Sequence, residues 1–302
     1  MMTQMIKVSG VDVQVTGRFL RIARPDADGY ESLKNPEAVI SGLRTSGVRV
    51  DLFTFLELWP VISRPYSYPT EMDNAAVIPI STFDNWWKQI RPEARNRARQ
   101  AEKKGIVLRE VPFDETVAKG IWEIYNETPF RQGRRFPHFG KDLKTVHTES
   151  ATYLNSSFFI GAFIGEKLAG FVKLTMDESG TRANLMNILS LVEHRDKAPT
   201  NALIAHSVRA CAAKGIRQLV YQRYVYGKKQ ADGIQKFKQV NGFQRVDLPR
   251  YYVPLTAFGK VAYRFGLHRP LSDHLPQAMA EKLRELRNSW YARKFQTAKE
   301  SA

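Results

Sequence analysis

The stretch SFFIGAFIGEKLAGFVKLTM (157–176), together with the segment that follows it, decides the fold class. Its two halves are apolar, and the Gly165–Glu166 pair between them predicts a tight hairpin turn. The pattern beyond it predicts a strand at 183–192, a helix at 199–214 and a strand at 216–222. Three strands, a helix and a further strand indicate a mixed sheet flanked by helices, an α+β (mixed α/β) fold rather than a doubly wound parallel sheet.

The rest of the chain extends this pattern in both directions. Further strands are predicted at 11–15, 19–23, 48–55, 75–81, 106–111 and 243–255. Further helices are predicted at 36–43, 83–104 (interrupted or restarted at Pro92), 114–126, 142–154 and 230–240. We therefore expect an N-terminal α/β region at 1–105, a core at 106–256 and a basic helical tail at 257–302.

Positive charge is concentrated in one part of the chain. There are 46 Lys+Arg and 30 Asp+Glu residues, a formal net charge of +16. Residues 1–80 contain 8 basic and 9 acidic residues, so residues 81–302 carry a net +17. A surplus confined in this way indicates an anionic partner such as RNA, phosphate groups or an acidic membrane surface. A basic surface without a partner is the alternative.

An apolar stripe runs along the predicted tail. Met279, Leu283, Leu286 and Trp290 repeat at helical spacing among mostly basic residues. We interpret the stripe as a helix docked on the body. A membrane-surface helix over residues 276–296 is the alternative.

Composition disfavours several classes of protein. Apolar residues make 43% of the chain and charged residues 25%, as in ordinary globular proteins. We expect neither a spanning helix nor a leader peptide, because no apolar run reaches 18 residues and the N-terminal segment lacks a leader pattern. The single cysteine, Cys211, excludes an internal disulfide, and the histidines lack ligand spacing, so we predict no metal. The expected location is cytoplasmic, with peripheral membrane contact as an option.

Two segments resemble known acyl-transferring proteins. AVIPISTFDNWWKQIRPEARNRARQAEKKGIVLREV (76–111) is similar to the strand, basic helix and strand of the Fem-type peptidoglycan bridge-forming aminoacyltransferases. Residues 157–255 are similar to a GNAT-type acyltransferase core, including APTNAL (198–203) and Asn241–Gly242–Phe243. The resemblance implies a GNAT-like mixed sheet flanked by helices, preceded by a shorter, incomplete GNAT-like half.

The resemblance also implies a reaction. It predicts an N-acyltransferase that moves an acyl or aminoacyl group onto an amine of a cell-envelope or polysaccharide precursor. Acyl-CoA is the common GNAT donor, and aminoacyl-tRNA is the Fem donor. We favour acyl-CoA, because the N-terminal half is short, and keep aminoacyl-tRNA, with tRNA as a partner, as the alternative.

The donor side and the chemistry can be assigned to candidate residues. The turn before the donor-side helix lacks glycine, but a helix N-terminus binds phosphate through its N–H groups. The candidate donor-binding residues are Arg195, Lys197, Thr200 and Asn201. Acyl transfer to an amine needs positioning and proton transfer rather than an enzyme nucleophile. The candidate catalytic residues are Asn187, Tyr224, Tyr226 and Lys238, of which Lys238 stands where a GNAT general acid is often a tyrosine.

The segment TPFRQGRRFPHFGKDL (128–143) is a candidate acceptor loop. It is rich in turn formers and cations, and arginine forms bidentate hydrogen bonds with phosphate and carboxylate. We predict that it binds an anionic small molecule or glycan precursor; a solvated basic loop is the alternative. The candidate substrate-binding residues are Arg131, Gln132, Arg134, Arg135, His138 and Lys141.

A second class of function fits the same composition. The basic helix at 88–104 presents several arginines suited to RNA phosphates, with two tryptophans just before it. A non-enzymatic protein that binds RNA or a membrane surface on a degenerate GNAT scaffold is therefore the alternative to the enzyme.

Overall fold

The computed structural model describes residues 3–58, 66–131, 134–225 and 233–270, together with single positions and short runs between 276 and 291. Its strands are β1 (Thr3–Val8), β2 (Val11–Thr16), β3 (Ile22–Pro25), β4 (Leu52–Leu56), β5 (Thr70–Pro79), β6 (Val107–Val111), β7 (Phe130–Arg131), β8 (Arg134–Arg135), β9 (Ser157–Ile164), β10 (Lys167–Met176), β11 (Arg182–Ser190), β12 (Gln218–Gln222) and β13 (Gln244–Pro254). Its helices are α1 (Pro36–Thr45), α2 (Phe83–Gln89), α3 (Pro92–Lys103), α4 (Glu115–Asn126), α5 (Leu143–Ser150), α6 (Pro199–Ala213), α7 (Gly233–Val240) and α8 (Ala257–Arg264).

The chain forms two compact units that are discontinuous in sequence. The first contains 1–76, 222–229 and 245–275, and the second contains 77–221, 230–244 and 276–302. This division differs from the three contiguous segments that we predicted, because the end of the chain returns to the first unit as β13 and α8. The predicted boundaries of independent domains stay a prediction.

The strands of the first unit pair mostly antiparallel, with one short parallel pair. Its strand order is β1-β2-β3-β4-β13-β5, in which β3 and β4 are parallel. Ser9 and Gly10 both have positive φ and form the two-residue turn that joins β1 to β2. α1 begins at Asn35, whose side chain accepts a hydrogen bond from the N–H of Ala38, and it buries Val39, Ile40 and Leu43.

The second unit contains most of the two segments that resemble acyltransferases. β5 continues into it, and the order there is β5-β12-β11-β10-β9-β6. β9, β10 and β11 are antiparallel, whereas β11 and β12 are parallel and are connected through α6. One core lies under α4, where Ile121 and Ile124 are fully buried. α3 buries Ala94, Ala98 and Ala101, and it packs on α6.

Most of the predicted elements of this unit are confirmed. The hairpin around Gly165, the helix that begins at Pro199 and the restart of a helix at Pro92 all lie where the sequence placed them. The predicted helix at 142–154 is shorter, since α5 ends at Ser150 and a 3-10 turn follows at Leu154–Ser156.

The tail corrects one expectation. Met279, Leu283, Leu286 and Trp290 are 51–60% exposed, which contradicts a helix docked through this stripe. In the described part of the chain no helix is long and apolar enough to cross a membrane.

Candidate functional site

β11 changes its surroundings halfway along its length. Its first four residues are buried and pair in parallel with β12, and the described ladder stops at Leu185 opposite Tyr221. The last five residues, 186–190, are only half-buried. On the other edge Lys173 pairs with Asn187 and Leu174 pairs with Leu185, so Met186 is an extra, bulged residue. The described ladder with β12 therefore does not include residues 186–190.

The N-terminus of α6 lies beside residues 186–190 of β11. Ala198 is the N-cap, with φ of 53°, and forms no side-chain capping bond. The first N–H groups of a helix lack intrahelical acceptors and attract anions. The hydroxyl oxygens of Thr200 and Ser190 are 3.1 Å apart and join α6 to the last residue of β11. Arg195 and Lys197 lie in the 3-10 turn before the helix, so the predicted donor-binding residues are brought together at one helix end.

An ion pair holds the end of β11. The Glu127 carboxylate accepts hydrogen bonds from the N–H groups of residues 192–193 at 2.7 and 2.9 Å and pairs with Arg131 at 3.1 Å. Arg131 also donates to the carbonyls of Ser190 at 2.6 Å and Ile124 at 2.7 Å. Burial lowers the pKa of Arg131 below its ordinary value. In this structure Arg131 is therefore a positioning residue, and acceptor binding by it stays a prediction.

A polar chain leads from β11 to the predicted acceptor loop. The Asn187 amide nitrogen lies 3.5 Å from the Tyr125 hydroxyl, and the rings of Tyr125 and His138 are 4.4 Å apart. The Lys141 ammonium lies 3.2 Å from Nδ1 of His138 and forms a 2.6 Å ion pair with Glu149. Sequence analysis predicted Asn187, His138 and Lys141, and the structure brings them together through Tyr125, which it missed.

Burial sets the protonation states of the Tyr125 and His138 side chains. It raises the pKa of Tyr125, whose hydroxyl therefore keeps its proton at neutral pH. It lowers the pKa of His138, and the nearby Lys141 charge lowers it further. A neutral His138 that accepts from Lys141 at Nδ1 carries its proton on Nε2. These two side chains are therefore neutral and can hold a ligand by hydrogen bonds.

The other catalytic candidates are Lys238, Tyr224 and Tyr226. Lys238 is fully buried, with its ammonium 4.2 Å from the centre of the Tyr221 ring. Tyr224 belongs to the first compact unit, whereas Asn187 belongs to the second. Tyr226 lies outside the described residues. The catalytic roles of these three side chains stay predictions.

The loop candidates are partly described. Gln132 lies outside the described residues. The backbone of Arg134 pairs with Arg131 in the short β7–β8 ladder. The Arg135 guanidinium lies 4.9 Å from the Tyr291 ring. An acceptor role for these loop residues stays a prediction.

The Asn-Gly-Phe segment has a packing explanation. The Asn241 amide oxygen accepts a hydrogen bond from Asn201 at 3.2 Å, which ties α7 to the start of α6. Gly242 has φ of +84°, and a Cβ there would lie 3.0 Å from the Trp86 indole nitrogen. Phe243 packs on Tyr221. Asn201 therefore fixes the helix start and is not simply a ligand contact.

The basic helix contributes structure as well as charge. One terminal nitrogen of Arg95 donates to the carbonyls of Trp87, Lys88 and Ile90 at 2.9–3.0 Å, so this side chain caps α2. A cavity of about 350 Å³ lies between α2, α3 and α6. It is lined by Phe83, Asp84, Trp87, Ala98, Arg99, Glu102, Leu108, Ala202, Ala205, His206 and Arg209. The two carboxylates in this lining balance its two arginines, so the cavity is not a strongly cationic site.

Two further features bear on the chemistry. Cys211 is fully buried, and burial raises its pKa to about 12, so its thiol is not a nucleophile in this fold. Among the described residues no group of three or more His, Cys, Asp or Glu side chains is arranged to hold a metal ion.

Comparison with known structures identifies the fold. FemX superimposes with a TM-score of 0.58 at 10% identity, covering 87% of this chain and 90% of that one. The C-terminal domain of a protein described as a lysylphosphatidylglycerol synthetase from Agrobacterium fabrum gives 0.57 at 11% identity, covering 87% of each chain. L-PGS from Bacillus licheniformis gives 0.57 at 11% identity, covering 86% of each. No protein-family model matches the chain, and no curated protein sequence matches it significantly.

These similarities confirm the predicted fold class. The chain has a mixed α+β sheet flanked by helices and shares the fold of FemX and the other two structures. At 10–11% identity the similarity concerns the fold, and the function has to be argued from the site.

Proposed function

We propose that the protein is an N-acyltransferase that moves an acyl or aminoacyl group onto an amine of a cell-envelope or polysaccharide precursor. One observation carries the proposal: the described β11–β12 ladder ends at Leu185, and the half-buried residues 186–190 that follow lie beside the N-terminus of α6, which has no side-chain cap. An open strand edge can hold an acyl carbonyl, and a helix N-terminus can hold a phosphate.

The reaction follows from positioning. The amine nitrogen of the acceptor attacks the carbonyl carbon of the donor, a C–N bond forms, and the C–S bond of a thioester breaks. The amine loses one proton, and the leaving thiolate gains one. Backbone N–H groups after Met186 stabilise the oxyanion, and the Asn187 amide orients the amine. The Tyr125 hydroxyl accepts a hydrogen bond from Asn187, and the ring of His138 packs on the Tyr125 ring.

Acyl-CoA is the donor that we favour. Its diphosphate suits the N-terminus of α6, with Arg195 and Lys197 adding charge. Aminoacyl-tRNA is the alternative donor, and it would use the net +17 of residues 81–302. In that case the bond that breaks is the C–O bond of an ester.

An anionic acceptor is proposed for the loop at 128–143. Arg131 and Lys141 pair with carboxylates, so the positive charge offered to an acceptor comes from Arg134 and Arg135. The contacts of His138 with Tyr125, and of Tyr125 with Asn187, connect this loop to β11. One structural relative is described as a lysylphosphatidylglycerol synthetase, which supports an acceptor of the cell envelope. A cytoplasmic protein with peripheral membrane contact through residues 276–296 fits this role.

Ligand-induced stabilisation tests the donor assignment. Melting temperatures are measured with acetyl-CoA, a longer acyl-CoA and charged tRNA, each at two salt concentrations. We expect the CoA compounds to raise the melting temperature. Arg195→Gln combined with Lys197→Gln should lower the apparent affinity for these compounds about tenfold or more. Lys119→Gln combined with Lys144→Gln, which removes two exposed charges away from α6, is the control.

The same experiment distinguishes the alternatives. Stabilisation by charged tRNA alone would replace acyl-CoA by the tRNA donor. Steeply salt-dependent binding of uncharged RNA, without any effect of CoA, would favour the non-enzymatic RNA-binding protein. If neither donor stabilises the protein, the enzyme proposal is wrong as stated.

A further inference from the structure

α8 packs on the first unit through its small residues. A Cβ at Gly259 would lie 1.8 Å from the carbonyl oxygen of Asp51, and Ala262 is fully buried. The Thr256 hydroxyl caps the helix by accepting from the Gly259 N–H at 2.9 Å and donates to the Asp51 carboxylate at 3.0 Å. These contacts fix which side of the helix faces the protein.

The large apolar residues of the same helix point to solvent. Phe258, Val261 and Phe265 are 43%, 50% and 68% exposed, and Leu267 in the following turn is 56% exposed. At about 100° per residue the first three occupy a sector of roughly 60°. A surface helix ordinarily buries its apolar side chains, and the reverse arrangement marks a surface that has a partner.

Positive charge borders this apolar sector. Lys260 and Arg264 occupy the neighbouring sector, and neither forms an ion pair with a described residue. The Arg49 guanidinium lies 6.0 Å from the ring of Phe258, while its acidic partner Asp51 is only 1% exposed. The core of a protein–protein interface is depleted of charge. Exposed aromatic and basic side chains on one helix are instead typical of helices that lie in the surface of an anionic membrane.

We propose that the α8 surface, defined as Phe258, Val261, Phe265 and Leu267 with Lys260 and Arg264, docks onto an anionic lipid bilayer. The apolar side chains enter the boundary between headgroups and acyl chains, and the two cations contact lipid phosphates. The inference stands independently of acyl transfer, because none of these residues belongs to the candidate site.

Co-sedimentation with vesicles tests the proposal. Full-length protein is mixed with vesicles of phosphatidylcholine alone or of equal parts phosphatidylcholine and phosphatidylglycerol. We expect preference for the anionic vesicles. Phe258→Ser combined with Phe265→Ser should weaken this partitioning about tenfold or more, since two apolar side chains no longer enter the bilayer. Lys260→Gln combined with Arg264→Gln should weaken it about fivefold per charge removed.

Matched variants separate α8 from other exposed apolar positions. Val107→Ser combined with Leu154→Ser changes two residues that are 56% and 40% exposed on the second unit and should leave partitioning unchanged. Leu283→Ser combined with Leu286→Ser measures the contribution of the tail. Partitioning that depends on the tail alone, or that survives both α8 double variants, overturns the proposal. The charge variant alters only exposed side chains, so it keeps the test valid if the phenylalanine variant misfolds.

Two other outcomes also overturn it. One is wild-type protein that shows no preference for the anionic vesicles. The other is a dimer, seen by light scattering without lipid, that the phenylalanine variant abolishes, because the surface would then bind a second copy.

Discussion

A buried lysine in β10 should make stability depend on alkaline pH. Lys173 is 1% exposed, and its ammonium donates to the carbonyls of Ser150 and Thr152 and to the Thr152 hydroxyl. It forms no ion pair with a described carboxylate. Burial lowers its pKa from 10.5 to about 8. The perturbation that we consider is Lys173→Met, which keeps most of the aliphatic volume and removes the charge.

The sign and the size follow from proton linkage. Between pH 8 and 10.5 the unfolded chain binds more protons at this lysine than the folded chain does, so the free energy of unfolding rises with pH across that window. The difference between the two pKa values corresponds to about 3 kcal/mol. Below pH 8 both states are protonated, and the full penalty of the buried charge is present. Lys173→Met should lose this alkaline gain.

Urea denaturation from pH 7 to 10.5 measures the effect. The quantity to follow is how the difference in free energy of unfolding between wild type and variant changes with pH. Its constant part is not informative, because in the variant the carbonyls of Ser150 and Thr152 and the Thr152 hydroxyl lose their donor at every pH. Other groups titrate equally in both proteins, and Lys119→Met, at an exposed position of α4, is the control. If the difference in free energy of unfolding between wild type and Lys173→Met stays constant from pH 7 to 10.5, the pKa of Lys173 is not lowered in the folded protein.

Three further substitutions test the site. Gly242→Ala should lower stability by about 1–3 kcal/mol in thermal unfolding, because its Cβ would lie 2.8 Å from Ile90 and 3.0 Å from Trp86 at a positive φ. Gly180→Ala has the positive φ without such contacts and should cost less. Glu127→Gln should cost about 1–3 kcal/mol in urea and raise the apparent Kd for the donor, whereas Glu166→Gln in the exposed hairpin turn should change neither. Asn187→Ala should lower kcat about tenfold or more at unchanged Tm; unchanged kcat would remove it from the site.

The sequence predicts helices and strands well where the apolar pattern is bounded by proline or glycine. α6 shows helical spacing between Pro199 and Gly215, and the β9–β10 hairpin has its turn at Gly165. β1 was missed because five of its six residues are not buried, which leaves little alternation to detect. The strand predicted at 183–192 ends at Ser190, since the N–H groups of the next residues bind Glu127 instead of a strand.

The site was predictable in part for a physical reason. Asn187 and the start of α6 follow from their place in the strand and helix order. The bulge at Met186 arises from the register between β10 and β11. The residue types of the two strands do not predict this register. Glu127 and Tyr125 act through partners far away in sequence, so in the sequence they resemble an ordinary solvated charge and a core aromatic.

We propose that residues 186–190 of β11 and the N-terminus of α6 form the donor site. A crystal structure with CoA bound tests it most directly. We expect the CoA diphosphate to lie within hydrogen-bond distance of the Thr200 N–H and beside Lys197. Its thiol end should reach the backbone after Met186. A diphosphate bound elsewhere on the protein, or no bound CoA at saturating concentration, would contradict it.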